Sequence, residues 1–129
     1  MSPRADLSRA HLPRQVPIEA YGNGGFRFGG MSHRGSILSL PSGIWGWAPS
    51  SIDVVDRVAL KPVLDLASDL SFLILGTGPV LTPAPRDVRA AFQEAGLGLE
   101  VMDTGAAART YNILLAEGRP IAAALIAVE

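Results

Sequence analysis

Gly76, Thr77 and Gly78 lie between the apolar run LIL and a segment with helical periodicity. At the junction of a strand and a helix, glycines let main-chain N–H groups surround a phosphate. Asp103 lies at the end of the next predicted strand, where a carboxylate that binds a ribose hydroxyl would stand. The spacing therefore raises the hypothesis of a nucleotide or anion site at this loop.

The residues after Gly78 argue against a nucleotide. The pattern G-x-G-x-x-G fails at its last position, which is Leu81. Pro79, Pro83 and Pro85 have no main-chain N–H, so they cannot donate to a phosphate. We therefore interpret the segment as a stiff crossover with a shaped outer surface, suited to a protein partner or a small ligand.

A second polar group lies in an alanine-rich segment and consists of Arg109, Thr110, Tyr111 and Asn112. Arg109 and Asn112 are three residues apart, so their side chains converge on one face of a helix. In one interpretation, the Tyr111 hydroxyl and the Asn112 amide satisfy buried main-chain groups at a sheet edge. In the other, Arg109, Tyr111 and Asn112 form a binding surface, and both interpretations stay open.

Patterns for catalysis and metal binding are missing from the sequence. The chain has no cysteine, no G-x-S-x-G and no G-K-[ST], which argues against thiolate catalysis, a serine nucleophile elbow and a P-loop. His11 and His33 have no second histidine or carboxylate at ligand spacing. Asp53 and Asp56 are typical of solvated or capping carboxylates. We expect a non-enzymatic protein with no metal and no cofactor.

Composition narrows the class of partner. The chain has 129 residues and a net charge of -1, from 11 Lys and Arg against 12 Asp and Glu. This length predicts one domain, and the balanced charge argues against a nucleic-acid partner. The longest apolar runs, such as residues 121–128, are too short to span a bilayer. We expect a protein partner, with peripheral membrane contact and a homo-oligomer as further options.

The first half of the chain is predicted to form a short arm and a glycine-rich hairpin. Residues 1–17 contain three arginines and three prolines and read as a flexible arm. Phe26 and Phe28 alternate about Arg27 as in a half-buried strand, and a turn at residues 32–35 leads to a second strand, SILSL. GIWGW follows as a short strand whose Trp45 and Trp47 are more typical of core packing than of a stacking platform.

The second half alternates between strands and helices. A short helix near Pro62 precedes a buried strand at residues 72–75. The later elements are predicted from their periodicity: a helix that ends at Gly96, a strand at 99–102, a helix from an N-cap at Thr104 to Gly118, and a strand at 121–128. We therefore predict one compact α/β domain over residues 18–129, with a mixed sheet and flanking helices.

Several of these stretches together resemble the Mth-domain family. They are LILGTG (73–78), LEVMDT (99–104), AARTYNIL (107–114), EGRPIAAALI (117–126), YGNGGFRFGG (21–30) and IWGW. The resemblance covers about residues 18–128, and its specificity lies in the ordered set. It implies a three-layer α/β domain with a mixed central sheet and no established catalysis.

The family includes the mitochondrial complex I assembly factor 3 proteins and the adipogenesis-associated Mth domain-containing protein. The resemblance implies protein partners, namely subunits of the respiratory NADH dehydrogenase or its assembly machinery, met on the matrix side of the inner membrane in the eukaryotic branch. The arm contains Asp6 and is a poor mitochondrial presequence, so we expect a cytoplasmic protein of a prokaryote. The alternative is a small-molecule or anion-binding protein, with an uncharacterised enzyme among the options, that uses Gly76 to Gly78 with the helix of Arg109 to Asn112.

Overall fold

The computed structural model describes residues 12–129. Residues 1–11 of the predicted arm therefore lie outside the described residues. Residues 12–17 lie on the domain: the Leu12 carbonyl accepts a hydrogen bond from the Ile44 N–H (3.2 Å). Gln15 Nε2 also donates to the Ile121 carbonyl at 2.8 Å.

A small antiparallel sheet opens the fold, in the order β1 (Ile18–Gly22), β2 (Gly25–Phe28), β3 (Met31–Arg34). The prediction of a turn at residues 32–35 is wrong, because most of that stretch belongs to β3. The turn lies instead at Gly29 and Gly30, whose φ angles of 58° and 77° are open to glycine at little cost. The predicted pairing partner of β2 was also wrong, since SILSL joins a different sheet.

The central sheet is mixed, as predicted. Its strands are β4 (Ser36–Leu40), β5 (Gly43–Trp47), β6 (Phe72–Gly76), β7 (Gly98–Met102) and β8 (Ile121–Leu125), in the order β5-β4-β8-β6-β7. β4 is antiparallel to β5 and β8, whereas β6 is parallel to β7 and β8. The last strand ends at Leu125, earlier than the predicted 128, because the main chain beyond it bonds to side chains: the Ile126 carbonyl accepts from Thr104 Oγ1 (2.7 Å) and the Ala127 N–H donates to Ser36 Oγ (3.0 Å).

Three α-helices join these strands: α1 (Lys61–Leu64), α2 (Arg86–Ala95) and α3 (Thr104–Ala116). Short 3-10 turns lie at Ile52–Val54 and Ala67–Asp69. As predicted, Gly96 ends α2, with a left-handed φ of 67°. Asp103, and not Thr104, is the N-cap of α3, because Asp103 Oδ1 accepts from the Ala106 N–H at 2.9 Å.

Both faces of the central sheet are covered, which explains the unbroken apolar run of β6. Leu73 and Leu75 pack on the side of α1 and α2, where Trp47 is also buried. Ile74 packs on the other side, against α3 and the small sheet. The prediction of one compact three-layer α/β domain is confirmed, and the burial of Trp47 agrees with core packing.

Candidate functional site

Four strands of the central sheet have their carboxyl ends on the same side of the molecule. β5 and β8 are both antiparallel to β4, and β6 and β7 run parallel to β8, so all four point the same way. In open α/β sheets ligands bind outside these carboxyl ends. A cleft of about 470 Å³ lies there, lined by Tyr21, Ser50, Gly78, Pro79, Asp103, Gly105 and residues 127–129.

The main-chain amides of the Gly-Thr-Gly segment are already used inside the fold. The Thr77 N–H donates to the Met102 carbonyl (2.8 Å) and the Gly78 N–H to Thr104 Oγ1 (3.0 Å). The Thr77 hydroxyl donates to the Val80 carbonyl at 2.7 Å and accepts from the Thr82 N–H at 3.1 Å. Thr77 and Gly78 therefore join the crossover to the end of β7 and the start of α3, and neither residue offers a free amide to an anion.

Thr104 is the centre of this arrangement. Its side chain is fully buried, and its hydroxyl donates to the Ile126 carbonyl (2.7 Å) while accepting from Gly78. In return the Thr104 N–H donates to the Gly78 carbonyl at 2.8 Å. One hydroxyl thus joins the crossover after β6, the start of α3 and the end of β8. The sequence predicts Thr104 only as a helix start, and no pattern in it indicates this role.

Gly76 lets α3 approach the end of β6. A Cβ atom built on Gly76 would lie 3.0 Å from Thr104 Oγ1, 3.1 Å from Thr104 Cα and 3.0 Å from Leu125 Cδ2. These distances are too short for an undisturbed side chain, so this glycine is explained by close packing and not by a ligand.

Tyr111 and Asn112 tie the N-terminal segment to α3. The buried Tyr111 hydroxyl donates to the Val16 carbonyl (2.9 Å) and lies 2.8 Å from Ser39 Oγ. Asn112 Oδ1 accepts from the Ile18 N–H (2.8 Å), and its Nδ2 donates to the Ile18 carbonyl (2.9 Å). Asn112 therefore pairs with β1 as a neighbouring strand would. Of the two interpretations from sequence, these contacts match the satisfaction of main-chain groups at a sheet edge.

The two predicted halves of the site line separate clefts. Arg109 is exposed and, with Asn112, lines a cleft of about 350 Å³ beside β1. Gly78 lines the cleft at the strand ends. Tyr21 borders both clefts, so it is the side chain that connects them. The structure does not bring Arg109 and Gly78 into one cavity.

Burial raises the pKa of Tyr111 to about 12, although the hydrogen bond from Ser39 acts in the opposite direction. Because the folded protein holds this proton more tightly than the unfolded chain, Tyr111 contributes stability that is complete below about pH 10 and lost as pH rises toward 12. We expect the stability advantage of the wild type over Tyr111→Phe to shrink by about 2 to 3 kcal/mol across that window.

Urea unfolding of both proteins along a pH series measures this difference. The Tyr111→Phe variant serves as the matched control, because every other titrating group is shared. A gap between the two proteins that stays constant through pH 12 would show that the Tyr111 hydroxyl titrates normally.

Buried polar side chains in the described part of the chain are all hydrogen-bonded. No buried side-chain nitrogen or oxygen among residues 12–129 lacks a hydrogen-bond partner. Over the same residues no three His, Cys, Asp or Glu side chains come close enough to hold a metal ion. None of the helices described has the length and apolar character needed to cross a membrane.

Sequence comparison identifies relatives in bacteria and animals. The chain is 36% identical over 111 residues to an uncharacterized protein of Rhodobacter capsulatus, covering 86% of this chain and 84% of that protein. It is 29% identical over 123 residues to NADH dehydrogenase [ubiquinone] 1 alpha subcomplex assembly factor 3 of Mus musculus, covering 95% of this chain. The chain spans 66% of the length of the mouse protein.

Solved structures share the fold. A protein described as an outer membrane protein from Bartonella henselae superimposes with a TM-score of 0.88 at 46% identity, covering 92% of this chain and all of that one. A Bordetella pertussis protein described as a Mth938-like domain has a TM-score of 0.71 at 29% identity, covering 85% of this chain and 84% of its own. The predicted resemblance to the Mth-domain family is confirmed. Residues 18–126 match a family described as "Protein of unknown function (DUF498/DUF598)", and the chain belongs to this family.

Proposed function

We propose that the chain is a non-enzymatic protein-interaction module that acts as an assembly factor for the respiratory NADH dehydrogenase. Its partners are subunits of that complex or other members of the assembly machinery. It acts from the cytoplasm of a prokaryotic cell, with peripheral contact at the membrane that carries the complex.

The observation that carries the proposal is the alignment with assembly factor 3 of Mus musculus over 95% of this chain. The aligned length covers the whole domain, so the similarity is not confined to one motif. A shared fold alone would not suggest a shared role. The name of the mouse relative supplies the role that we transfer to this chain.

The geometry of the crossover supports a docking role better than an anion-binding role. The amides of Thr77 and Gly78 are occupied within the fold, which removes the basis for a phosphate site. The same crossover exposes Val80 and Leu81 to 67% and 61%. Large apolar side chains that a rigid loop holds in solvent are typical of protein contacts.

Deletion of the gene in the organism that encodes the chain tests the proposal. We expect the amount of fully assembled NADH dehydrogenase, measured by native gel electrophoresis, to fall to a minority of the wild-type level. Re-expression of the chain should restore it, and the other respiratory complexes serve as controls. An unchanged amount of assembled NADH dehydrogenase would overturn the proposal.

A further inference from the structure

One edge of the central sheet has no partner strand among residues 12–129, because β7 ends the strand order. At the opposite edge, the Ile44 N–H of β5 is covered by the Leu12 carbonyl. The β1 edge of the small sheet is covered in a similar way, since Asn112 pairs with Ile18. An uncovered edge strand presents main-chain donors and acceptors to any extended chain that reaches it.

The direction of the free groups on β7 follows from one hydrogen bond. The Met102 carbonyl accepts from the Thr77 N–H (2.8 Å), so the main-chain groups of Met102 face β6. Main-chain groups of successive strand residues point to opposite edges, so those of Leu99 and Val101 point away from β6. Within the described chain, neither of these two residues has a main-chain partner on that side.

A shallow apolar groove runs beside this edge, between β7 and α2. Its volume is about 430 Å³, and its lining includes Phe92, Leu97, Leu99 and Val101. Phe92 and Leu97 are buried, whereas Leu99 and Val101 are only half-buried. A strand added to β7 would place alternate side chains in this groove, which is how sheet edges select extended peptides.

The charge of the residues that line the groove indicates what kind of peptide segment would bind there. Arg89 is the one charged residue that lines the groove among those described, and it forms no ion pair with residues 12–129. A carboxylate on the incoming segment would complement it. A second copy fits less well, because antiparallel pairing through Leu99 and Val101 of both copies would set the exposed Glu100 opposite itself.

We infer that β7 is a docking edge for an extended segment of a partner protein. The segment pairs with the main chain of Leu99 and Val101, places alternate apolar side chains in the groove, and carries an acidic residue that reaches Arg89. This inference deepens the proposed function, because it names the surface through which an assembly partner would be held.

Selection from a random dodecapeptide library on the immobilised full chain supplies the probe, and fluorescence anisotropy measures the affinity of the selected peptides. Val101→Pro removes the outward N–H without touching the bonds between β6 and β7, since proline is tolerated where the N–H faces out of the sheet. Val101→Ala keeps that N–H while trimming the side chain. Arg89→Glu reverses the charge at the groove, and Arg34→Glu makes the same change at an exposed position of the small sheet that does not line the groove.

We expect selected peptides to alternate apolar and polar residues and to carry a carboxylate. Val101→Pro and Arg89→Glu should each weaken their binding by about tenfold or more, whereas Val101→Ala should have a smaller effect and Arg34→Glu none. Thermal melts confirm that each variant is folded. Failure to recover any peptide, or recovery of peptides that bind Val101→Pro as tightly as Val101→Ala, would overturn the inference.

Re-expression in the deletion strain separates this inference from the proposed function. If wild type and Val101→Pro both restore the NADH dehydrogenase, the assembly role stands and the β7 edge is not its docking surface. If the wild type itself has no effect on the complex, the assembly role fails, while the peptide measurements still decide whether the edge binds extended segments.

Discussion

Replacing Thr104 by valine should lower the free energy of unfolding by roughly 2 to 6 kcal/mol. Valine has nearly the shape of threonine, so the packing is kept and only the hydroxyl is lost. The Gly78 N–H and the Ile126 carbonyl would then be buried without their partner. Each unsatisfied group costs about 1 to 3 kcal/mol, which places this substitution among the most damaging single changes in the domain.

Urea unfolding followed by circular dichroism measures the change. If the slope of the unfolding free energy against urea concentration is the same as in the wild type, the substitution has changed stability alone. Thr104→Ser is the matched control, because it retains the hydroxyl and removes only a methyl group. We expect serine to be clearly more stable than valine at this position. Equal stability of the two variants would mean that the hydroxyl does not join the three segments.

Replacing Gly76 by alanine should destabilise the fold by roughly 1 to 3 kcal/mol. The new methyl group would press on the main chain of Thr104 and on Leu125 at about 3.0 Å. The backbone of α3 cannot give way without disturbing the Gly78 and Ile126 contacts of Thr104. If Gly76 were instead kept for a ligand, the substitution would leave the stability of the protein unchanged.

Gly105→Ala provides the comparison, measured by the same unfolding experiment. A Cβ atom there would meet the Tyr21 hydroxyl at 2.5 Å, but Tyr21 is 42% exposed and its side chain can swing away. Alanine also favours the helix over glycine by about 1 kcal/mol. We therefore expect Gly105→Ala to be near neutral. A large loss of stability in Gly105→Ala with none in Gly76→Ala would contradict the close packing that we infer at Gly76.

Much of the fold could be predicted from the sequence, because local patterns decide it. The unbroken apolar run of β6 indicates burial on both faces, and Gly96 marks the end of α2. The hairpin was harder, since Gly29-Gly30 and residues 32–35 both have the composition of a turn. Only the pairing of β3 with β2 selects the first, and that pairing is a tertiary property.

The contacts of the candidate site residues were harder to predict, because they too depend on tertiary structure. The sequence indicated that Tyr111 and Asn112 have a local purpose, but their partners, Val16 and Ile18, lie 95 and 94 residues away. Thr104 shows a similar limit: the helix start is visible in the sequence, whereas the Ile126 carbonyl reaches it only when β8 returns to the sheet. No spacing rule reports such contacts.

The central claim, that this domain assists assembly of the respiratory NADH dehydrogenase, is tested most directly by pulse-chase labelling in the deletion strain. An assembly factor acts on the complex only while it forms. We therefore expect newly made subunits to enter the finished complex more slowly, while complex that was finished before the chase turns over at its normal rate. Unchanged entry of new subunits into the complex would contradict the account.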